Sequence, residues 1–332
     1  MGAAVASHVL ISGETSLRLG QLIKGGDRVW LRAGGRGCRG GGGLGANQFA
    51  PLLLMYRAHL GLSTATVEAT FGLYALGLIP GLLLGGPLSD RYGRRRVMLL
   101  ALITSVLGSV LLIAGGSALG WLLTGRLIAG VASGAAFSSG AAWIKELSFA
   151  GSPDERNPGL RRVTVAMSVG FAGGPLLVGI LAQWAPLPTV LPYLPHLALA
   201  VLAIPLVLYT PETRAPNRQN SLWQQLFVPA VCGRRFRTVV VPLAPWVFGS
   251  ASIALAYLPG LVQARVGGNV LVFSAVVAML TALAGILVQP LARRVDHPRK
   301  PRLIGTAMVI VVAGLLVALD LAAYNRGGPP LL

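Results

Sequence analysis

Gly85-Gly86-Pro87-Leu88-Ser89-Asp90-Arg91-Tyr92-Gly93-Arg94-Arg95-Arg96 decides how this chain is read, because of what stands on either side of it. Residues 69–89 before the charged segment contain no Asp, Glu, Lys or Arg, and neither do residues 97–119 after it. Each run is near the about 20 apolar residues that an α-helix needs to cross a bilayer core. Two such runs joined by a short basic segment predict a pair of spanning helices with a turn at the membrane surface. Their apolar residues are continuous, without period-two alternation, which favours helices over the dyad pattern of a membrane barrel.

Outward from this pair, the same scan finds 121–144, 163–184, 190–209, 238–264, 270–292 and 303–319, with 40–56 as a glycine-weakened candidate. Only 121–144 holds an internal charge, Arg126. The expectation is nine spans and an all-α, polytopic transmembrane bundle. Composition agrees, with 54% hydrophobic residues, 11% charged residues and a mean hydropathy of +0.69. A soluble domain carries about 25% charged residues, so a soluble enzyme is excluded, and so is a disordered nucleic-acid-binding tail, which requires low hydrophobicity.

The net charge of +18 is explained by topology. Short cytoplasmic loops concentrate Lys and Arg. Arg91, Arg94, Arg95 and Arg96 follow the second span, and Lys145, Arg156, Arg161 and Arg162 the fourth. Arg214, Arg218, Arg234, Arg235 and Arg237 follow the sixth, and Arg293, Arg294, Arg299, Lys300 and Arg302 the eighth. The opposite loops hold only Arg57, Arg265 and Arg326, which puts the even-numbered loops in the cytoplasm. The expected partners are therefore the lipid bilayer and a small-molecule substrate, and no nucleic acid.

Four segments organise the chain. Residues 1–43 are a low-complexity leader rich in Gly and Arg, residues 44–209 a six-helix bundle, 210–237 a cytoplasmic linker, and 238–332 a partial bundle of three helices. Within the linker, residues 221–231 are amphipathic, read equally as a membrane-surface helix or a loop with stray apolar residues. A weak repeat relates the two bundles: Pro87-Leu88-Ser89-Asp90-Arg91 and Pro290-Leu291-Ala292-Arg293-Arg294 each end a span on the basic side. Parallel repeats of this kind build transporters with the substrate path between halves.

Gly86-Pro87-Leu88-Ser89-Asp90-Arg91-Tyr92-Gly93-Arg94-Arg95 resembles the signature loop of the major facilitator superfamily. Gly93 permits the tight turn and Asp90 can accept charge-assisted hydrogen bonds, whereas topology alone needs neither. Arg126, with Gly130 and Gly134 on the same helical face, is similar to the family's fourth-span motif. Gly170, Gly174, Pro175 and Gly179 resemble the glycine–proline motif of its proton-coupled exporters, and Pro211-Glu212-Thr213-Arg214 its exit from the sixth span. The resemblance covers residues 44 to about 320.

The resemblance implies a secondary active exporter that moves a small molecule by alternating access, with protons as the coupling ion, in the plasma membrane. In that reading Gly86, Asp90, Arg91, Gly93, Arg94 and Arg95 gate the conformational change. Arg126 is the intramembrane coupling charge, facing a cavity or else snorkelling to the outer interface. Asn47 and Gln48 are open to bonding either substrate or neighbouring helices. Glu68, His196 and Asp320 are read as interfacial or structural.

The family fold resembles two six-helix halves, and a second half as long as the first would run about 72 residues past Leu332. On that ruler helices ten to twelve are missing, and the alternative reading is a non-transporting fragment. An integral-membrane enzyme is not indicated: no cofactor, metal-ligand spacing, nucleophile elbow or pair of intramembrane carboxylates occurs, and Cys38 and Cys232 fit no metal spacing. The sequence sets no oligomeric state.

Overall fold

The computed structural model describes residues 49–149, 158–210, 212–214, 253–261, 266–295 and 302–325, together with Arg234, Arg237, Thr238, Val241, Trp246 and Ser250. Among these residues every regular element is helical. In chain order they are α1 (Phe49–Leu60), α2 (Thr64–Tyr92), α3 (Arg94–Ala114), α4 (Leu119–Phe149), α5 (Pro158–Trp184), α6 (Leu194–Tyr209), α7 (Leu258–Leu261), α8 (Val270–Val295) and α9 (Arg302–Asn325). A 3₁₀ turn, Leu191–Tyr193, leads into α6, and a π-turn, Ile253–Tyr257, into α7. The leader, Asn47, Gln48 and residues 221–231 lie outside the described residues.

Among the described residues, six stretches are long and apolar enough to cross a membrane: Ala65–Tyr92, Arg94–Ala114, Leu119–Trp143, Leu191–Tyr209, Gly267–Val288 and Gly305–Tyr324. The expected spans at 163–184 and 40–56 meet α5 and α1, whose described apolar parts, Gly170–Trp184 and Phe49–Leu60, are shorter. The span at 238–264 meets only the π-turn and α7 among its described contiguous residues.

Local chemistry sets the helix ends. Ser63 caps α2, its hydroxyl accepting from the Thr66 N–H at 3.1 Å. The third span ends at Ala114, short of the expected 119, where the i→i−4 ladder gives way to i→i−3 bonds, from Gly116 N–H to Ile113 O at 3.1 Å and from Ser117 N–H to Ala114 O at 3.0 Å. The basic segment after the second span is almost no loop. Asp90 and Arg91 lie in the last turn of α2, Arg94 opens α3, and Gly93 alone joins them at φ 98° and ψ 148°. That region is essentially reserved for glycine.

Two apolar clusters hold the bundle. Met98 and Leu102 of α3, Trp143 of α4 and Ala203 and Val207 of α6 form one; Phe49, Leu52 and Tyr56 of α1 with Leu112, Leu122, Val178 and Tyr193 form the other. A smaller cluster of Ala50, Leu255 and Ala278 joins α1 to the π-turn and α8. The perimeter is apolar as well: Leu100 is 63% exposed, Leu287 74% and Val309 68%. Apolar exposure around the whole bundle is what lipid, unlike water, accepts without cost.

Candidate functional site

The site begins with how α2 and α4 meet. Gly77 and Gly81 on α2, and Gly130 and Gly134 on α4, recur every fourth residue and so lie along one face of each helix. A Cβ on any of them would run into the opposite backbone: Gly77 into Leu127 O, Gly81 into Val131 O, Gly130 into Tyr74 O, Gly134 into Leu78 O. Small residues at four-residue spacing let two membrane helices touch backbone to backbone. The register is constant, since the offset that sets Gly130 on Tyr74 and Gly134 on Leu78 also sets Arg126 on Thr70.

Arg126 is thereby placed inside the bundle and is only 2% exposed. Its Nε–H donates to Thr70 O at 3.1 Å. The guanidinium lies 4.2 Å from the Phe49 ring centroid, 4.5 Å from Tyr74 and 5.8 Å from Phe71. All three are within cation–π range. No carboxylate forms an ion pair with it among the described residues. Of the two placements open in the sequence, the interior one is observed. The rings come from α1 and α2, which local sequence around Arg126 does not announce.

Beside this nest, Tyr56 of α1 donates its hydroxyl to Leu112 O at 2.8 Å and shares a 3.1 Å hydrogen bond with the Tyr193 hydroxyl. His196, 3% exposed, meets the Ser105 hydroxyl at 3.0 Å between α6 and α3. These contacts satisfy polar groups that would otherwise be stranded in an apolar interior.

A second cluster closes the basic end. Glu212, just past α6, accepts from the backbone N–H of Arg94 at 2.8 Å and of Arg95 at 3.0 Å. A carboxylate is thus seated on the positive end of α3. Arg94, 4% exposed, stands at the centre. Its Nη2 is 2.7 Å from both Asp90 Oδ1 and Glu146 Oε1, its Nε 3.2 Å from Glu146 Oε1, and its Nη1 donates to the Ser89 hydroxyl. The Asp90 contact is an ion pair outside hydrogen-bond geometry, as Oδ1 has no hydrogen-bond partner. Arg214 Nη1 adds a charge 3.3 Å from the same oxygen, and Thr213 donates to Glu146 Oε2. Burial raises the Glu146 carboxyl, but hydrogen bonds from Arg94 and Thr213 outweigh it and hold the group below its ordinary value.

The motif residues therefore separate into roles. Gly93 makes the turn, Arg94 carries the ion pairs, Arg95 offers its N–H and reaches Leu208 O at 3.3 Å, and Arg91 lies over Tyr92 at 5.6 Å. Gly86 supplies the carbonyl that Ser89 Oγ bonds at 2.8 Å. Glu146 had no sequence signal beyond being an acid at the end of a span. Gly170, Gly174 and Pro175 are buried in α5. At Gly179 a Cβ would strike the Ala275 Cβ and lie 3.1 Å from Leu271 O, both on α8. One turn on, Gln183 clamps the start of α8, donating to Gly268 O at 2.7 Å and accepting from the Leu271 N–H at 3.2 Å.

An apolar-walled helix bundle with a charge held in its interior and an ion-paired basic end is the architecture of a polytopic membrane protein. Comparison with known proteins makes this specific. The Major Facilitator Superfamily model matches residues 40–325, and the chain belongs to that family of transporters. It is 25% identical over 277 residues to the chloramphenicol resistance protein of Pseudomonas aeruginosa, covering 82% of this chain and 64% of that one. It is 27% identical over 145 residues to the bacillibactin exporter of Bacillus subtilis, covering 42% of this chain and 36% of that one. The chain thus spans less than two thirds of either relative's length. The crystal structure of a D-xylose–proton symporter shares the fold, with a TM-score of 0.54 at 15% identity over 98% of this chain and 76% of that one.

Proposed function

We propose that this chain exports a small amphipathic molecule by alternating access in exchange for protons, from a plasma-membrane location with its basic end in the cytoplasm. The observation that carries this reading is the contact of α5 with α8. The glycine–proline motif of α5 ends at Gly179, whose missing side chain admits α8, and this contact supports a surface on which two halves rock. Relatives bearing the names of an exporter and a resistance protein support efflux over uptake.

In this mechanism Arg126 is the coupling charge. A cation among aromatic faces, without a carboxylate partner among the described residues, stays charged and is free to pair with an incoming negative substrate charge; being already protonated, it does not itself carry the exchanged proton. Gly86, Asp90, Arg91, Gly93, Arg94 and Arg95 gate the basic end by making and breaking the ion pairs with Glu146 and Arg214. Asn47 and Gln48, which directly precede Phe49 in the sequence, contribute to the substrate path.

Expression in a pump-deficient, chloramphenicol-sensitive bacterium tests the reading. Growth at elevated chloramphenicol is expected for the wild type, weakened growth for Arg126→Lys, and none for Arg126→Leu at equal membrane abundance. Equal resistance from Arg126→Leu would remove Arg126 from the mechanism. No resistance to a panel of amphipathic compounds would remove efflux itself.

A further inference from the structure

The interior and the basic cluster leave one cavity unexplained. A groove of about 310 Å³ runs between α2 and α3, floored by α4, at the end where Gly93 joins the two helices. It exists because α2 and α3 each pack along α4 and touch one another little, so the hairpin is splayed over a floor of small residues that includes Ala135. Its volume lies at the lower end of those that hold small molecules. It faces outward: on its walls Leu100 is 63% exposed, Tyr92 37% and Val131 36%. An outward apolar groove on a membrane-spanning hairpin is filled by whatever the bilayer offers.

Charge says which lipid. Arg96, the third residue of α3, lines the groove, is exposed, and forms no ion pair among the described residues, whereas Arg94 in the same turn is committed to Asp90 and Glu146. Tyr92 lines the same end and presents its exposed ring beside Arg96. An apolar slot with an uncommitted cation at one end matches an acyl chain that ends in a net-negative phosphate headgroup.

We propose that this groove seats one acyl chain of an anionic phospholipid from the leaflet at the basic end, with the phosphate held by Arg96. Thr104, near the deep end of the slot, marks where the chain lies, and Leu100 forms its rim. Zwitterionic phospholipids carry the same phosphate, but their own cationic headgroup offsets its charge, so they enter the slot with a weaker contact to Arg96. The seat is separate from the transport path, because it opens to the perimeter and not to the interior that holds Arg126.

Native mass spectrometry of the full chain in mild detergent, titrated with phosphatidylglycerol or phosphatidylcholine, tests this. A surface basic residue is worth about a fivefold change in binding of anionic lipid. The wild type is expected to retain phosphatidylglycerol over phosphatidylcholine by about that factor, and Arg96→Gln to erase the preference, lowering phosphatidylglycerol retention more than that of phosphatidylcholine. Thr104→Phe fills the slot and lowers retention of both lipids. Leu100→Trp does the same from the exposed rim and serves if Thr104→Phe fails to fold. Undiminished retention in the folded filled variants, or equal binding of the two lipids by the wild type, would overturn the proposal.

Discussion

Replacing Gly93 with Ala tests how the basic end is built. Gly93 holds φ 98° and ψ 148°, a conformation that costs another residue on the order of 1–3 kcal/mol. A Cβ there would also lie 2.6 Å from Glu212 Oε2, displacing the carboxylate that accepts from the Arg94 and Arg95 N–H groups. Weakening two charge-assisted hydrogen bonds adds roughly 1–2 kcal/mol. The sum is a loss of about 3 kcal/mol. Gly61 is the internal control: its φ is 61° but a Cβ there meets nothing within 4 Å, so Gly61→Ala loses only about 1 kcal/mol. Unfolding in mixed micelles, followed by tryptophan fluorescence, reads both. Glu212→Ala added to Gly93→Ala should then cost less than its effect alone, because the two changes share a contact. If Gly93→Ala falls within about 0.5 kcal/mol of Gly61→Ala, the steric link to Glu212 is wrong.

Further predictions address the remaining contacts. Gly134→Leu drives a side chain into Leu78 O and the Leu82 N and is expected to destabilise by more than about 2 kcal/mol, while Gly173→Leu, with open space at its Cβ, stays within about 0.5 kcal/mol in the same unfolding assay. Tyr56→Phe leaves Leu112 O and the Tyr193 hydroxyl without their buried partner, a loss of about 1–3 kcal/mol that Tyr193→Phe in the same background adds little to. Because the folded Glu146 carboxyl is held below its ordinary 4.5, its stabilisation is complete above that value and is lost as pH falls through the lower folded one. Glu146→Gln should flatten that acid-side decline in a stability–pH series, and an unchanged slope would show that Glu146 is not its source.

Much of this arrangement was legible locally and the rest was not, for a consistent reason. Apolar runs mark helices because the bilayer imposes their length, so α2, α3, α6, α8 and α9 were readable from stretches without charge, and α4 from a run broken only by Arg126. Gly93 was readable because only glycine suits a turn that short. Arg126 stood out as a charge in an apolar run, yet its surroundings did not, since Phe49, Phe71 and Tyr74 arrive from helices far along the chain. Glycines at 77, 81, 130 and 134 carried the register of α2 on α4 as matching four-residue spacings, but a spacing gains a partner only once the fold chooses one. Glu146 was missed because its meaning lies wholly in Arg94 and Thr213, and an isolated acid beside Lys145 has no pattern. The expected loop at Asp90 and Arg91 turned out helical because the apolar periodicity of α2 stops before its backbone hydrogen bonds do.

Proton exchange itself is best measured in proteoliposomes holding the purified chain, with an acidic lumen and labelled chloramphenicol outside. Uphill accumulation of label, accompanied by lumenal alkalinisation and abolished when an ionophore collapses the pH gradient, is the expected result, with Arg126→Leu giving neither signal. Accumulation that survives collapse of the gradient, or counterflow with no proton movement, would show that the protein moves its substrate without proton exchange.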